Sequence, residues 1–180
     1  MRTQRMLVIA LLTAALCVMA PLAVPMGPVP ITLASLGVYL AAGLLGPVGG
    51  CAAVGLYLAL GGIGLPVFAG FVGGAQHLVG PTGGFLWGYL LCALVSGLLC
   101  RVGSPRLTPL WLAGGALALY AAGCGFLAWQ THTSLWSALA LCAPCLPGEM
   151  VKIAVATGLI LSLRGRVSHL TAHGIKEQRL

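Results

Sequence analysis

Long apolar runs, interrupted by proline, glycine and arginine, divide this chain into six segments of helical length. About 20 apolar residues cross a bilayer as an α-helix, so each run is a candidate membrane span. The pattern predicts an all-α membrane protein in which residues 1–180 form one integral membrane domain. Its six predicted transmembrane helices cover about residues 6–24, 32–45, 48–63, 83–100, 107–129 and 148–163.

Three irregular segments rich in proline and glycine, residues 24–32, 64–84 and 130–147, separate some of these helices. Gly46-Pro47 separates the second helix from the third, because proline lacks an N–H and breaks a helix. A short apolar stretch, residues 134–143, is too brief to cross the membrane. We expect it to lie at the interface or to re-enter the bilayer.

The first apolar run follows Arg2 and Arg5, and a signal peptide begins in the same way. The run is long for a signal peptide, however. Pro21, Pro25 and Pro28 follow it where a small-x-small cleavage site would be expected. We therefore expect the first helix to be retained.

Composition supports a lipid environment, since 59% of the residues are hydrophobic and 6% are charged. Soluble domains carry about 25% charged residues, so a soluble enzyme or nucleic-acid-binding domain is excluded. The length leaves no room for an extramembrane catalytic domain, and the sequence has no Gly-x-x-x-x-Gly-Lys-Ser/Thr motif to bind ATP. If the protein drives active transport, another chain must supply the energy.

The net charge of +7, from nine basic and two acidic residues, predicts the orientation in the membrane. With both termini in the cytoplasm, the basic residues other than Lys152 fall on the cytoplasmic side, as the positive-inside rule requires. The charge thus indicates topology and not a nucleic-acid partner. The irregular segments then share the outer face, which predicts a pocket that opens outward. The cytoplasmic basic residues are Arg2, Arg5, Arg101, Arg106, Arg164, Arg166, Lys176 and Arg179.

Two opposite charges at the start of the last predicted helix are the strongest candidates for chemistry. Glu149 and Lys152 are three residues apart, so their side chains share one helical face. A lysine at mid-membrane costs about 2.5–3.5 kcal/mol, and a donor beside an acceptor would clamp a polar ligand head. The alternative is that Glu149 complements the helix N-terminus while Lys152 extends to the membrane surface or pairs with Glu149.

Further candidate ligand contacts lie in the second irregular segment and in the helix after it. Two polar neighbours there would either roof the pocket or belong to a solvated loop. Aromatic side chains would either wall the pocket or mark the membrane interface. The candidates for substrate binding on these elements are Gln76, His77, Phe68, Thr82, Phe85 and Tyr89, with Trp87 as a further aromatic residue.

Cysteine and histidine are weaker signals. The seven cysteines lie mostly in apolar runs, where cysteine acts as a small hydrophobe. Cys142 and Cys145 have redox spacing, which leaves an intramembrane thiol oxidoreductase as an alternative, although no base nearby would activate a thiol. His132, His169 and His173 are isolated, and no His/Cys/Asp spacing indicates a metal site.

Four separated motifs along the chain together indicate a known family. They are Val-Pro-Ile-Thr-Leu (29–33), Gly-Gly-Ile-Gly-Leu-Pro-Val-Phe-Ala-Gly (61–70), Gly-Pro-Thr-Gly-Gly-Phe (80–85) and Leu-Pro-Gly-Glu-Met-Val-Lys (146–152). In these motifs and their order the chain resembles BioY, the biotin-binding S component of energy-coupling factor (ECF) transporters. The resemblance implies a six-helix S-component fold in a prokaryotic cell membrane, which binds biotin from the outer face. It also implies docking onto a transmembrane T component and ATPase subunits that use ATP, with no cofactor in this chain.

The resemblance also assigns roles to single residues. Ala10 and Ala14 match an Ala-x-x-x-Ala face that contacts the T component. Glu149 and Lys152 match an acid-x-x-Lys pair that contributes to biotin binding. The acid is typically Asp, so Glu149 adds one methylene, and Ala34 stands where the family often has Gln. An S component for another vitamin and a biotin carrier without an ATPase remain alternatives.

Overall fold

The computed structural model consists of α-helices joined by short connections, with one small β-hairpin. It describes the backbone of residues 2–24 and 30–176 and the side chains of residues 3–24 and 30–163. Outside these ranges lie the predicted proline-rich residues 25–29 and the side chains of Arg2, Arg164, Arg166, His169, His173, Lys176 and Arg179.

Within the described chain, the hairpin pairs β1 (Ala23–Val24) antiparallel with β2 (Ile31–Thr32). A 3₁₀ turn, Pro105–Leu107, precedes the fifth helix. The helices are α1 (Arg2–Met19), α2 (Ala34–Gly62), α3 (Ala75–Val79), α4 (Gly83–Val102), α5 (Thr108–Thr131), α6 (Leu135–Cys142) and α7 (Cys145–Lys176).

The long helices of the described chain have the length and apolar character of membrane spans. Those that are long and apolar enough to cross are α2, α4, α5 with its preceding turn, and α7 as far as Leu163. α1 contains a shorter apolar stretch, Thr3–Met19. The predicted all-α membrane fold is thus confirmed, while the count of six crossings and the cytoplasmic position of both termini stay predictions.

The first helix ends at Met19, five residues before its predicted end. Pro21 disfavours helical geometry in the residue before it and cannot donate a helix hydrogen bond. The chain turns there, and the next apolar residues enter β1 instead. The sequence pattern overestimated the length of the helix because a strand and a helix can be equally apolar over so short a run.

α2 folds back on itself at Gly46 and so forms two limbs. Gly46 has φ 73° and ψ −172°, which interrupt the helical geometry, and Pro47 begins the second limb. A Cβ on Gly50 would lie 3.0 Å from the Cα of Ala42. Eight residues of straight helix would separate these positions by about 12 Å, so the two limbs are antiparallel neighbours. The second and third predicted helices are therefore distinct, as Gly46-Pro47 indicated.

Small residues let α1, α2 and α4 pack closely. A Cβ on Gly97 of α4 would lie 2.6 Å from the backbone N of Pro47 at the α2 kink. Thr13 of α1 donates a 3.2 Å hydrogen bond to the carbonyl of Ala53 in the second limb. Close van der Waals contact and interhelical hydrogen bonds of this kind hold helices together in lipid. The largest fully buried apolar and aromatic side chains of the core are Tyr39, Tyr57, Leu16, Leu112, Ile160, Val38 and Val54.

The remaining differences from prediction are in the outer segments and at the end of the chain. Residues 75–79, expected in an irregular segment, form α3. α7 begins at Cys145, three residues early, with Pro147 in its first turn, where helix N–H groups need no intrahelical partner. Its backbone stays helical to Lys176, beyond the predicted end at residue 163. The basic residues there end the apolar run, but arginine and lysine are good helix formers.

The contact between α4 and the α2 kink predicts that Gly97→Ala destabilises the protein. Its new methyl group would collide with backbone that cannot rotate away, and such overpacking costs about 1–3 kcal/mol. We expect a lower thermal unfolding temperature in detergent. Gly55→Ala is the matched control, because a Cβ there would meet no atom within 4 Å. Equal unfolding temperatures for the two variants would contradict this close packing.

Candidate ligand-binding site

A cavity of about 350 Å³ opens between the β-hairpin, the 64–84 segment, α4, α5 and α7. The apolar residues that line it come mainly from the 64–84 segment, α4 and α5, whereas the charged groups come from α7. Its lining is Pro30, Ile31, Thr32, Ser35, Phe68, Ala69, Val72, His77, Thr82, Phe85, Leu86, Tyr89, Leu119, Tyr120, Cys145, Glu149 and Lys152.

The charged pair of α7 is buried at this cavity. Nζ of Lys152 lies 3.0 Å from Oε2 of Glu149, and the two residues are 9% and 5% exposed. The i,i+3 spacing places both on one face of α7. The ammonium group of Lys152 therefore points inward and does not extend to the membrane surface, whereas its pairing with Glu149 is compatible with both interpretations.

Three further polar side chains complete the hydrogen bonding of the pair. Tyr39 donates a 2.7 Å hydrogen bond to Oε1 of Glu149, and Tyr120 donates a 3.4 Å bond to Oε2. Lys152 donates to Oγ of Ser35 at 3.1 Å. A buried ion pair is tolerated when its remaining donors and acceptors are satisfied in this way. An ammonium group has three N–H donors, so two of them are used here and one is left to meet a ligand.

The local sequence explains how the partners reach the pair. β2 leads directly into α2, so Ser35 stands in the first turn of the helix next to the cavity. Tyr39 follows four residues later on the same helical face and is fully buried beneath Glu149. Thr32, at the end of β2, lies 3.2 Å from the hydroxyl of Tyr89 on α4. The hairpin thus places hydroxyl groups on one wall of the cavity.

The opposite wall is apolar and aromatic. Phe68 is 2% exposed and packs edge-to-face with Tyr57, their ring centroids 5.7 Å apart. The ring of His77 lies 6.3 Å from Phe68, also in an edge arrangement. Phe85 packs edge-on against Tyr120 with centroids 6.3 Å apart. Edge-to-face packing fixes these rings and gives the wall a defined shape.

The structure brings together at one cavity most of the residues suggested by the sequence. Glu149, Lys152 and five of the other candidates line it: His77, Phe68, Thr82, Phe85 and Tyr89. Gln76 does not line it, although it neighbours His77 on α3. Its Nε2 donates a 3.0 Å hydrogen bond to the carbonyl of Gly73 in an exposed position. Trp87 is half exposed and donates to the carbonyl of Leu78.

Sequence reasoning missed Ser35, Tyr39 and Tyr120. Ser35 could have been found from the sequence. It lies two residues after the Val-Pro-Ile-Thr-Leu motif and directly follows Ala34, the position where the family often has Gln. The two tyrosines lie within apolar runs, and a tyrosine hydroxyl buried away from water needs a partner. The scarcity of carboxylates could have indicated that these hydroxyl groups donate to Glu149.

Ala10 and Ala14, the predicted docking residues, lie far from the cavity on α1. Both are exposed, on one side of the helix with Leu7, which is 64% exposed, and Leu11, which is 69% exposed. The opposite side of α1, which includes Leu16, is buried against α2. This face is therefore largely uncovered by the described part of the chain.

The cysteines do not form the pair that the oxidoreductase alternative requires. The thiol of Cys142 meets that of Cys124 on α5 at 3.2 Å, whereas Cys145 lines the cavity. Burial, together with the contact with Cys124, raises the pKa of the Cys142 thiol, which disfavours the reactive thiolate. Among the described side chains, no three of His, Cys, Asp and Glu converge as metal ligands would.

The chain is similar to biotin transporters along most of its length. The sequence model of the BioY family matches residues 1–169. Biotin transporter BioY of Rhodobacter capsulatus is 45% identical over 155 residues, which cover 77% of this chain and 80% of that protein. Biotin transporter BioY of Thermotoga maritima is 41% identical over 155 residues, which cover 84% of this chain and 90% of that protein.

A solved structure shares the fold. The crystal structure of the S-component for biotin from an ECF-type ABC transporter has a TM-score of 0.85 and 29% identity, and the match covers 91% of this chain and 92% of that one. The relatives are transporters and not enzymes, which removes the thiol oxidoreductase alternative. With its long apolar helices, the chain is a multi-pass protein of the prokaryotic cell membrane. The family match, the two relatives and the shared fold together show that the chain belongs to the BioY family.

Proposed function

We propose that this chain is the substrate-binding membrane subunit that captures biotin from the outer face and delivers it inward with an ECF energising module. The observation that carries the proposal is the buried Glu149–Lys152 pair, which is the charged part of an otherwise mainly apolar and hydroxyl-lined cavity. A ligand that satisfies this cavity must combine an apolar body with hydrogen-bonding groups of both kinds.

Biotin has this combination of groups. Its thiophane ring and valeryl chain are apolar and suit the wall that contains Phe68, Phe85 and Leu119. Its ureido ring presents N–H and C=O groups, and its carboxylate presents acceptors. The remaining donor of Lys152 and the carboxylate of Glu149 offer the complementary partners. Because Glu149 and Lys152 are buried, these contacts count for more than they would at an open surface.

The proposed transport step needs partner subunits that hydrolyse ATP, because this chain is proposed only to bind and carry biotin. A transmembrane T component would dock on the α1 face that contains Ala10 and Ala14, and ATPase subunits would use ATP, with no cofactor held by this chain. Small side chains on an exposed helix face let another helix approach closely in lipid. The exposed position of both alanines, beside exposed leucines, supports this part of the proposal.

Removal of the lysine charge should weaken biotin binding. We expect Lys152→Met in the detergent-purified chain to bind radiolabelled biotin at least tenfold more weakly, which corresponds to about 1.4 kcal/mol or more. Because this variant leaves Glu149 unpaired, the double variant with Glu149→Gln tests the same loss without a buried lone charge.

Gln76→Ala is the control and should bind within twofold of the unmodified protein, because its side chain is outside the cavity. Undiminished binding by both lysine variants would remove Lys152 from the site, and displacement of the label by thiamine or riboflavin would indicate another vitamin.

Tyr39 should act on biotin through Glu149, because it contacts the carboxylate but does not line the cavity. Tyr39→Phe deletes a hydrogen bond to a charged group, which contributes about 1.5–3 kcal/mol. We expect biotin affinity to fall about tenfold in an equilibrium binding assay. Tyr57→Phe is the matched control, since this buried tyrosine of the second α2 limb packs against Phe68 and keeps that contact. A fall of equal size in the control would show that the loss has nothing to do with Glu149.

The docking face on α1 makes a prediction that separates binding from uptake. Ala10→Trp and Ala14→Trp add bulk where a partner helix would approach, so biotin binding should be spared while uptake by cells that contain the energising subunits is lost. Ala154→Trp, at an exposed position of α7, is the control and should leave uptake intact. Normal uptake by both α1 variants would contradict docking at this face and would favour a stand-alone carrier.

A further inference from the structure

A second cavity lies at the opposite end of α4 from the first. Its volume is about 420 Å³, and it opens where the start of α1, the kink of α2 and the end of α4 meet. Thr82 and Phe85, at the start of α4, border the first cavity, whereas Gly97 and Arg101, near its end, line the second. α4 has 20 residues and is about 30 Å long, so the two cavities are separated by most of the helix length.

Two arginines line this second cavity, and no described side chain offers either of them a carboxylate. Arg5 comes from α1 and Arg101 from α4, and both are exposed. Among the described side chains the one carboxylate is that of Glu149, and it is paired with Lys152 at the other cavity. None of the described residues that line the second cavity is acidic. Its charge is therefore positive, and an anion from outside the chain would neutralise it.

The backbone around the kink does not reverse that sign. Residues 42–45, at the end of the first α2 limb, and Pro47 and Val48, at the start of the second limb, all line the cavity. The end of one helix contributes partial negative charge and the start of the next contributes partial positive charge, so the two largely offset each other. The arginines thus decide the electrostatic character of the cavity.

The glycines keep the cavity open. A Cβ on Gly46 would meet no atom within 4 Å, so the space beside the kink is free of other described atoms. Gly97 contributes no side chain and packs directly on the backbone of Pro47. The two guanidinium groups consequently border a space that no described side chain fills.

We propose that this second cavity binds the phosphate of an anionic phospholipid headgroup, with Arg5 and Arg101 as the charged donors. A guanidinium group matches the oxygens of a phosphate with paired N–H groups. Both arginines stand at the ends of apolar helices, where lipid headgroups lie, and the positive-inside assignment places them in the cytoplasmic leaflet. Basic pockets between transmembrane helices on that side bind anionic headgroups. A soluble phosphate offers the same chemistry, so the experiment must separate the two sources.

The test is native mass spectrometry of the detergent-purified chain titrated with phosphatidylglycerol. We expect one retained lipid whose apparent dissociation constant rises at least tenfold in Arg5→Gln/Arg101→Gln. Arg106→Gln is the matched control, because Arg106 lies in the neighbouring 3₁₀ turn and does not line the cavity. It should change binding less than twofold. Arg5→Lys/Arg101→Lys keeps the charge and should retain more lipid than the glutamine variant.

Equal losses in the Arg106 control and in the double variant would overturn the proposal, because they would show general attraction to a basic surface. Undiminished lipid binding by the double variant would overturn it as well. Biotin binding by each variant reports that the protein is folded. Inorganic phosphate distinguishes the sources: displacement of the lipid at millimolar concentration indicates a site for free phosphate, and retention of the lipid indicates a headgroup site. Phosphatidylcholine should bind more weakly than phosphatidylglycerol in either case, since it has no net negative charge.

Discussion

The buried ion pair between Glu149 and Lys152 is the constraint on which the rest of the structure depends. Two charges cannot leave water for a helical bundle in lipid unless their remaining donors and acceptors are satisfied. Three side chains from two helices satisfy them: Tyr39 and Ser35 from the first limb of α2, and Tyr120 from α5. The pair therefore requires α2, α5 and α7 to meet at one depth. The cavity is a consequence of that meeting, since polar groups at the helix surfaces prevent a closed apolar core.

Close backbone contact elsewhere makes this arrangement possible. The fold-back of α2 at Gly46 puts its limbs side by side, and the approach of Gly97 to Pro47 brings α4 onto the kink. These contacts lie near the opposite end of α4 from the charged pair, beside the second cavity. Close backbone contact at the kink therefore holds the helices together, while a cavity remains open near each end of α4. In lipid such contacts matter more than in a soluble domain, because burial in apolar solvent offers little driving force by itself.

The sequence predicted the long helices well because their signal, a nearly continuous apolar run, is the one that the bilayer imposes. It failed where that signal is ambiguous: residues 20–24 are apolar but turn and enter a strand, and the end of α7 is polar but helical. The site residues likewise divide into those with a clear sequence signal and those without one. Glu149 and Lys152 were predicted from the rarity of charge, whereas Tyr39 looked like ordinary apolar sequence. Gln76 and His77 could not be separated, because the direction of a side chain on a one-turn helix depends on packing that the sequence does not display.

The pairing of the two charges also bears on how the subunit responds to the membrane potential. A lone lysine at the binding site would feel about 2.3 kcal/mol for each 100 mV of potential that it crosses. Because the carboxylate lies 3.0 Å from the ammonium, their charges sum to zero and the field exerts little net force on the pair. Reorientation of the subunit in the bilayer would then be electrically silent at this position. The voltage dependence that remains at this position would then be set by the charge of the bound ligand.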